Sequence, residues 1–516
     1  MIVGEILGRS ARRAPEKTAI VAGSLRMSYR ALDAAANRFA DALIDLGLRP
    51  GDKIAIMAPN LLAYPVAFFG AARAGVVLAH LSVRSTTADI AYMLDKAEVR
   101  LLVVAEEVAA AAVAATAEAT GLRQVVVIGD ATASGIAGAI GFDDFIAGRS
   151  EAPPDVVVRE TDPVGITFTG GTTGKPKAVL VSHRARFVNN LTATVQFGVF
   201  EDDVAAAVTP LFHAAGLFIW FQLVILRGLT CVLLPNWDPE TFMDAVEGEG
   251  VTAVFMVPTQ IGDLIKHPCF DAARLANLRS IDFAGAPMPE AMMLEALEKL
   301  PNVLFTEHYG QSEAGPMAVR PARYLPEKLG SVGRVAVGVE LAVVDSRGRP
   351  LPPGEIGDVV TRGEHLLLEY YKDPEQTAAL FKSGDGWLWT GDVGVMDEDG
   401  FLTLLDRSKD MIVSGGENIY PKEIENALHA HPAVDQCAVF GIPDDRFGEA
   451  PAAHVVLNPG KSVSAEALIA FCAERVARHK RPRLIAFVDE LPMTAIGKVK
   501  KHLLRAPYWQ GRARRI

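Results

Sequence analysis

The chain has 516 residues, half of them hydrophobic, with 51 basic and 62 acidic side chains and a net charge of −11. That length is too great for one ordinary core, so at least two domains are expected, and the composition is that of a globular enzyme. The acidic balance argues against nucleic acid, whose binding rests on phosphate neutralisation; only the last twenty residues, GKVKKHLLRAPYWQGRARRI, are strongly basic, either as a solvated tail or as a segment near an anionic ligand.

In chain order, MIVGEILGRSARRAPEKT meets charge within five residues and has no signal-peptide core. Residues 28–47, SYRALDAAANRFADALIDLG, have helical apolar spacing and end at a glycine. KIAIMAPN then reads as a buried strand, and FFGAARAG (68–75) as a helix. RLLVVAEE, an alanine-rich helix over 107–119 and QVVVIGD (124–130) form a strand–helix–strand unit, which predicts a parallel sheet covered by helices. AAAVTPL, TCVLLP, AVFMVP and SIDFAG predict a second sheet of the same style. Between them, AGLFIWFQLVIL (215–226) is too short to span a bilayer and reads as a core helix. Residues 329–405 turn to Gly, Pro and short β-branched runs, which predicts a small antiparallel barrel. After residue 410 about a hundred residues remain, enough for a small α+β domain.

The four cysteines, Cys231, Cys269, Cys437 and Cys472, are scattered without a zinc or disulfide pattern. A cytoplasmic, reducing setting is therefore expected. The C-terminal ARRI carries no lipidation or peroxisomal address.

The stretch with the clearest chemistry is Thr169-Gly170-Gly171-Thr172-Thr173-Gly174-Lys175-Pro176-Lys177. It is not a Walker loop: only three residues separate Gly170 from Gly174, and Lys175 is followed by proline rather than a hydroxyl residue. VGITF before it and AVLVS after it read as strands, so no helix dipole faces the phosphates. Such a loop holds anions through backbone N–H groups, threonine hydroxyls and a lysine, and glycine lets the backbone approach closely. The competing reading is a flexible hairpin, which has no need of three threonines and two lysines.

Six further motifs follow in order: Pro210-Leu211-Phe212-His213-Ala214-Ala215-Gly216; Ala284-Gly285-Ala286-Pro287 with Tyr309-Gly310-Gln311-Ser312-Glu313; Trp389-Thr390-Gly391-Asp392; Asp406-Arg407-Ser408-Lys409-Asp410; Gly415-Gly416-Glu417-Asn418; and Leu491-Pro492-Met493-Thr494-Ala495-Ile496-Gly497-Lys498. With the loop, this series resembles the adenylate-forming superfamily of acyl-CoA synthetases, peptide-synthetase adenylation domains and firefly luciferase, over nearly the whole chain. The chain departs from the family at Gly170-Gly171, where Ser-Gly is usual, and at Ala178, Gln311-Ser312 and Ile496. None of these departures removes a catalytic group.

The resemblance implies an α/β fold: a large N-terminal domain (1–406) of two βα-type sheets plus a small β-barrel, a hinge (407–409) and a mobile small α+β C-terminal lid (410–516). It implies ATP, Mg²⁺ and CoA as co-substrates and a small carboxylic acid as substrate. Its chemistry is transfer of a carboxylate to the α-phosphorus of ATP, with loss of pyrophosphate, followed by attack of a thiol on the acyl-adenylate.

By the same resemblance, Thr169, Gly170, Gly171, Thr172, Thr173, Gly174 and Lys177 cradle phosphates, and Glu313 with Thr172 holds Mg²⁺. Ala286, Pro287, His308, Tyr309, Gly310, Gln311 and Ser312 belong to the ATP/AMP site, with Tyr309 stacking on adenine against the Ala286-Pro287 backbone, while Asp392 takes the ribose hydroxyls and Arg407 the ribose or phosphates. Lys498 lies between carboxylate and α-phosphate. His213 stands at the mouth of an acyl pocket drawn from Phe212, Gly216, Leu217, Trp220, Pro258, Ala284, Gly285 and Gly310. Lys409 is the hinge, and Ser414, Gly415, Gly416 and Glu417 line the thiol route. The competing readings are a surface carboxylate for Glu313, a surface lysine for Lys498 and a structural histidine for His213. The apolar, partly aromatic pocket points to an aryl or medium-to-long aliphatic acid rather than an amino acid. A carrier-protein-loading adenylation enzyme, a luciferase-like oxygenase and a non-catalytic nucleotide sensor are the rival functions, and a homodimer is left open.

Overall fold

The computed structural model describes residues 2–119, 121–170, 175–493 and 499–510. An eight-stranded sheet runs, in spatial order, through Glu369–Tyr370, Lys177–Ser182, Pro163–Thr169, Val77–His80, Lys53–Met57, Val99–Ala105, Gln124–Ile128 and Ile140–Gly141. A nine-stranded sheet has at its centre the parallel strands Leu304–Gln311, Ser280–Ala284, Ala253–Met256, Val204–Ala207, Thr230–Leu233 and Thr18–Ala22.

Both sheets are buried on two faces, as crossover-connected parallel strands must be. Ile54 and Ile56 enter the core shared between the sheets, while Ala55 and Met57 enter the opposite one. In the other sheet, Ala253 and Phe255 join the shared core, and Val254 and Met256 point away from it. This two-residue alternation, over strands with no polar face, is what the continuous apolar runs encode.

Helix Tyr29–Asp45 occupies the interval expected for it. The Ser28 side chain accepts the Ala31 N–H at its start, and Leu32, Ala35, Ala36, Phe39, Ala40 and Leu43 form its buried stripe. Full burial of each larger apolar side chain contributes about 1.5–3 kcal/mol. The alanine-rich stretch departs from expectation: it forms two short helices, Glu106–Ala109 and Val113–Glu118, joined by an Ala112 N–H to Ala109 carbonyl bond. Ala109, Ala112 and Ala115 are all buried on the sheet. A three-residue spacing drifts off the face of a continuous α-helix, and the tight turn keeps it there.

The 215–226 core segment begins as a π-helix, Ala215–Phe221, and continues as α-helix Gln222–Arg227. Among the described residues no helix is long and apolar enough to cross a membrane.

The region expected to be a barrel is a four-stranded antiparallel sheet, Glu340–Val344, Ile356–Arg362, Leu388–Met396 and Leu402–Arg407 in that order. It does not close between its outer strands among the described residues. The edge at Leu402 is taken instead by Val332 and Gly333, on the path from the nine-stranded sheet. The last unit is a five-stranded sheet, with Val434–Asp444 and Gly448–Leu457 as its long pair. Helices Pro421–His429 and Ala465–Ala473 pack on one face of it.

Burial lowers the pKa of His80 to about 3 and those of His183 and His365 to about 4 each. A depressed histidine contributes stability that is complete above the unfolded value near 6.5 and is lost as pH falls toward the folded value. Three such groups lower unfolding free energy by about 4 kcal/mol per pH unit once pH is below that unfolded value. Urea unfolding at pH 7 and pH 5 should show a markedly lower midpoint at pH 5. An unchanged midpoint would contradict the buried, neutral histidines.

Candidate active site

One corner of the site forms where the Leu304–Gln311 strand meets the four-stranded sheet. Successive strand residues face opposite sides, so Tyr309 and Gln311 point the same way. Tyr309 Oη donates to Asp392 Oδ2 at 2.5 Å, and Gln311 Nε2 donates to the same oxygen at 2.7 Å. Arg407 Nε donates to Asp392 Oδ1 at 3.0 Å, because Asp392 and Arg407 sit opposite each other on paired antiparallel strands. Gln311 Nε2 also reaches the Thr390 carbonyl at 3.0 Å. Asp392 is buried, and burial together with its charge pushes the Tyr309 phenol far above the usual tyrosine range. The carboxylate is thus fixed by three donors and keeps acceptor capacity for a ligand hydroxyl.

Gly310, between them, is required by packing: a Cβ there would strike the Gly315 carbonyl across the hairpin. Alternation turns His308 to the other face. It pairs with buried Asp282 at 2.8 Å and lies tilted by 40° against the Phe197 ring, with centroids 3.9 Å apart. The His308 ring is therefore held by Asp282 and not by the Asp392 carboxylate. Gly285 has φ +96° and, with Ala286, is half-buried; Pro287 is exposed.

A second corner gathers around Tyr370. Its hydroxyl donates to Glu313 Oε1 at 2.8 Å, and Lys177 Nζ sits 4.6 Å from the centre of its ring. Burial and the Glu313 charge push the Tyr370 hydroxyl far up, so it remains a donor. Lys177 pairs in register with Thr169 at the base of the loop, with Gly170 exposed beyond it. This is the expected strand–loop–strand. The tip, Gly171, Thr172, Thr173 and Gly174, lies outside the described residues, as does Lys498 with residues 494–497. The Ser312 carbonyl accepts from Arg186 Nη2 at 3.0 Å.

On the acyl side, Phe212 and Gly216 are buried and His213 is half-buried, its Nδ1 accepting the Ala215 N–H at 3.3 Å. A Cβ on Gly216 would strike the Pro210 carbonyl, so the turn into the π-helix needs glycine. Pro258 opens helix Pro258–Lys266 and is buried, while Ala284 at the end of its strand is half-buried. Leu217 and Trp220 are core residues. Trp220 Nε1 donates to the Ala206 carbonyl at 2.7 Å, and its ring stacks on Phe197 at 6.1 Å and lies 6.2 Å from Phe255.

At the hinge, partial burial and the cations Arg407, Arg505 and Lys177 hold the Lys409 ammonium below the usual lysine range, against Asp410. The end of the phosphate loop and the hinge therefore lie within electrostatic reach. Ser414 and Glu417 pair across a hairpin whose two-residue turn is Gly415 (φ +62°) and Gly416 (φ +87°). Two successive positive φ values explain both glycines through the turn itself. Tyr370, Arg186 and Thr390 were not singled out from sequence. Tyr370 lies in LLLEYYKDPE and Arg186 in SHRARF, and neither stretch signals burial against Glu313.

Residues 7–371 match the AMP-binding enzyme family, and residues 423–498 match the AMP-binding enzyme C-terminal domain. The chain is 35% identical over 498 residues to a feruloyl-CoA synthase of Amycolatopsis sp, covering 96% of this chain and 97% of that one. The fold is similar to the crystal structure of the anthranilate CoA ligase AuaEII with anthranoyl-AMP (TM-score 0.89, 27% identity, 98% and 97% of the two chains). It is equally similar to ATP-bound MatB from Rhodopseudomonas palustris (TM-score 0.89, 29% identity, 98% and 99%).

Replacing Asp392 with alanine strips Tyr309, Gln311 and Arg407 of their shared acceptor. Charge-assisted bonds of this kind are worth about 1.5–3 kcal/mol. Asp392→Ala should lower the melting temperature and abolish the stabilisation that ATP confers in a thermal-shift assay. Wild-type stabilisation by ATP would contradict the placement of this carboxylate in the nucleotide site.

Proposed function

The chain belongs to the AMP-binding enzyme family, and from that premise we propose that it is an ATP-dependent acid–CoA ligase acting on a compact aromatic acid. The observation that carries this reading is the convergence of Asp392, held by Tyr309, Gln311 and Arg407, with the Lys177–Tyr370–Glu313 group. The first set offers a fixed acceptor for ribose hydroxyls; the second sets a cation and a carboxylate on either side of one phenol, where triphosphate and metal meet.

In the first half-reaction a carboxylate oxygen of the acid bonds to the α-phosphorus. The bond from that phosphorus to the bridging oxygen breaks, and pyrophosphate leaves with the electron pair. Thr169, the loop tip and Lys177 hold the β- and γ-phosphates. By the family resemblance Lys498 is assigned to the two anions that must approach, where its charge would lower their repulsion. In the second half-reaction the CoA sulfur bonds to the acyl carbon, and AMP leaves with the electrons of the anhydride bond. Among the described residues no group of three or more His, Cys, Asp or Glu could hold a metal alone. The donor set fits Mg²⁺, which takes one or two carboxylates and completes its shell with phosphate oxygens and water. Glu313 would hold it, with Thr172 of the loop tip, and the ion would supply charge neutralisation on the phosphates.

Residues 1–406 form the body, 407–409 the hinge and 410–516 a lid that turns to exchange Lys498 for the thiol route along Ser414–Glu417. A separate hydrophobic core in the lid supports this division. A compact acid is supported by the aromatic cluster next to the residues assigned to the pocket: the rings of Trp220, Phe197, Phe255 and His308 pack against one another. Two of the similar proteins, the feruloyl-CoA synthase and the anthranilate CoA ligase, are named for aromatic acids. The four free cysteines, three of them buried, suit a reducing cytoplasm.

CoA thioester formation should be measured against benzoates, cinnamates, cyclohexane carboxylates, acetate and medium- and long-chain fatty acids. Turnover concentrated on benzoates or cinnamates is expected, and preferential turnover of long-chain acids would overturn the compact pocket. Lys498→Ala should lower adenylation at least about 100-fold while sparing thioester formation from supplied acyl-adenylate; equal loss of both steps would remove it from its assigned place. Lys409→Pro, which fixes φ at the pivot, should slow only the thioester step, and an equal effect on both steps would count against a hinge there.

A further inference from the structure

Arg186 lies in the first turn of helix His183–Gln196 and is 1% exposed. A buried guanidinium is normally matched by a carboxylate in direct contact. Arg186 instead donates from Nη2 to the Ser312 carbonyl at 3.0 Å, and its Cζ lies 4.4 Å over the Phe218 ring. Its Nε has no hydrogen-bond partner among the described residues. His80 also packs edge-on against Phe218, 5.4 Å from that ring, and is hydrogen-bonded to the Tyr64 hydroxyl at 2.8 Å. Burial holds His80 neutral, so it supplies no counter-charge. Burial likewise works against the charge on Arg186, and the carboxylate that favours it is Glu313.

The cation is therefore tied to the Ser312 carbonyl, one residue before Glu313, whose Oε1 is held by the Tyr370 hydroxyl at 2.8 Å. The fixed carbonyl sets the backbone from which Glu313 departs, and Tyr370 sets the carboxylate's direction. We propose that Arg186 is a positioning residue for Glu313: it anchors the Ser312 carbonyl and keeps a positive charge near the carboxylate, so that Glu313 presents a fixed oxygen toward the metal and phosphates. The proposal rests on the assignment of Glu313 to the metal. Arg186 itself touches neither substrate nor metal.

Outer-shell partners of metal ligands typically carry 10- to 100-fold in metal affinity or activity. Arg186→Met keeps the length and apolar packing of the side chain but removes its charge and donors. It should raise the Mg²⁺ concentration for half-maximal pyrophosphate release about 10-fold or more. Calorimetry of ATP binding should show weaker affinity in Mg²⁺ and unchanged affinity in EDTA, and thioester formation from supplied acyl-adenylate should fall far less than adenylation. Arg186→Lys, which keeps the charge without the planar fork, should lie between Arg186→Met and wild type; it carries the test if the methionine variant does not fold. Glu313→Gln is measured in parallel. If it leaves the Mg²⁺ dependence unchanged, the metal assignment fails and the proposal with it. If Glu313→Gln shifts that dependence and both Arg186 variants match wild type, only the proposal is overturned. Equal weakening of ATP binding with and without Mg²⁺ would also overturn it, because that is the signature of a purely structural arginine.

Discussion

The site depends on one carboxylate, Asp392, which joins parts of the chain that share no sheet. Tyr309 and Gln311 come from the nine-stranded sheet, while Asp392 and Arg407 come from the four-stranded one. A charge so placed has little water, and each donor that satisfies it is worth more than a neutral bond in solvent. Fixing Asp392 also fixes the start of the hinge, since Arg407 is its partner and Ser408 donates its backbone N–H to the Gly391 carbonyl. The proposed nucleotide site and the proposed hinge thus share a few residues of backbone.

The other side of the hinge is held by charge as well. Asp406 is half-buried, and desolvation of its carboxylate lifts its pKa to about 6 despite Lys501. Lys501 bonds Glu425 at 2.8 Å and lies 3.9 Å from Asp406, and Lys422 donates from Nζ to the Leu404 carbonyl at 3.1 Å. Buried ion groups of this kind add little net stability, because desolvation offsets their attraction, but they penalise other arrangements. They set the orientation in which the last sheet meets the body, where a purely apolar contact would be less selective. The lid rotation proposed above would need contacts of this sort, directional enough to define a state and weak enough to leave it.

Much of this was legible in the sequence. Apolar runs without a polar face predict parallel sheets covered on both sides, and spaced motifs point to Tyr309, Gln311, Asp392, Arg407 and Glu313 before any fold is known. What was not legible depends on tertiary contact. Nothing in SHRARF tells that Arg186 is buried against the Ser312 carbonyl, and nothing in EYYKD tells that Tyr370 meets both Lys177 and Glu313. Period-two alternation already separates the His308 side chain from those of Tyr309 and Gln311, but its Asp282 partner comes from a neighbouring strand that the motif does not reveal. Gly415 and Gly416 suggested clearance for a ligand, yet a two-residue hairpin turn demands them first. The barrel failed to close because an edge strand pairs with whatever backbone reaches it, here Gly333, and composition does not show which segment that will be.

The account stands or falls on an enzyme-bound mixed anhydride. The most direct measurement is a rapid-quench experiment in which the protein is mixed with Mg²⁺, ATP and a benzoate or cinnamate, first without CoA and then with it. The account predicts about one equivalent of aroyl- or cinnamoyl-adenylate and of pyrophosphate per protein in the first phase, then conversion of that adenylate to thioester and AMP when CoA is added. ATP bound tightly with no pyrophosphate released, or an adenylate that persists unchanged in the presence of CoA, would contradict it.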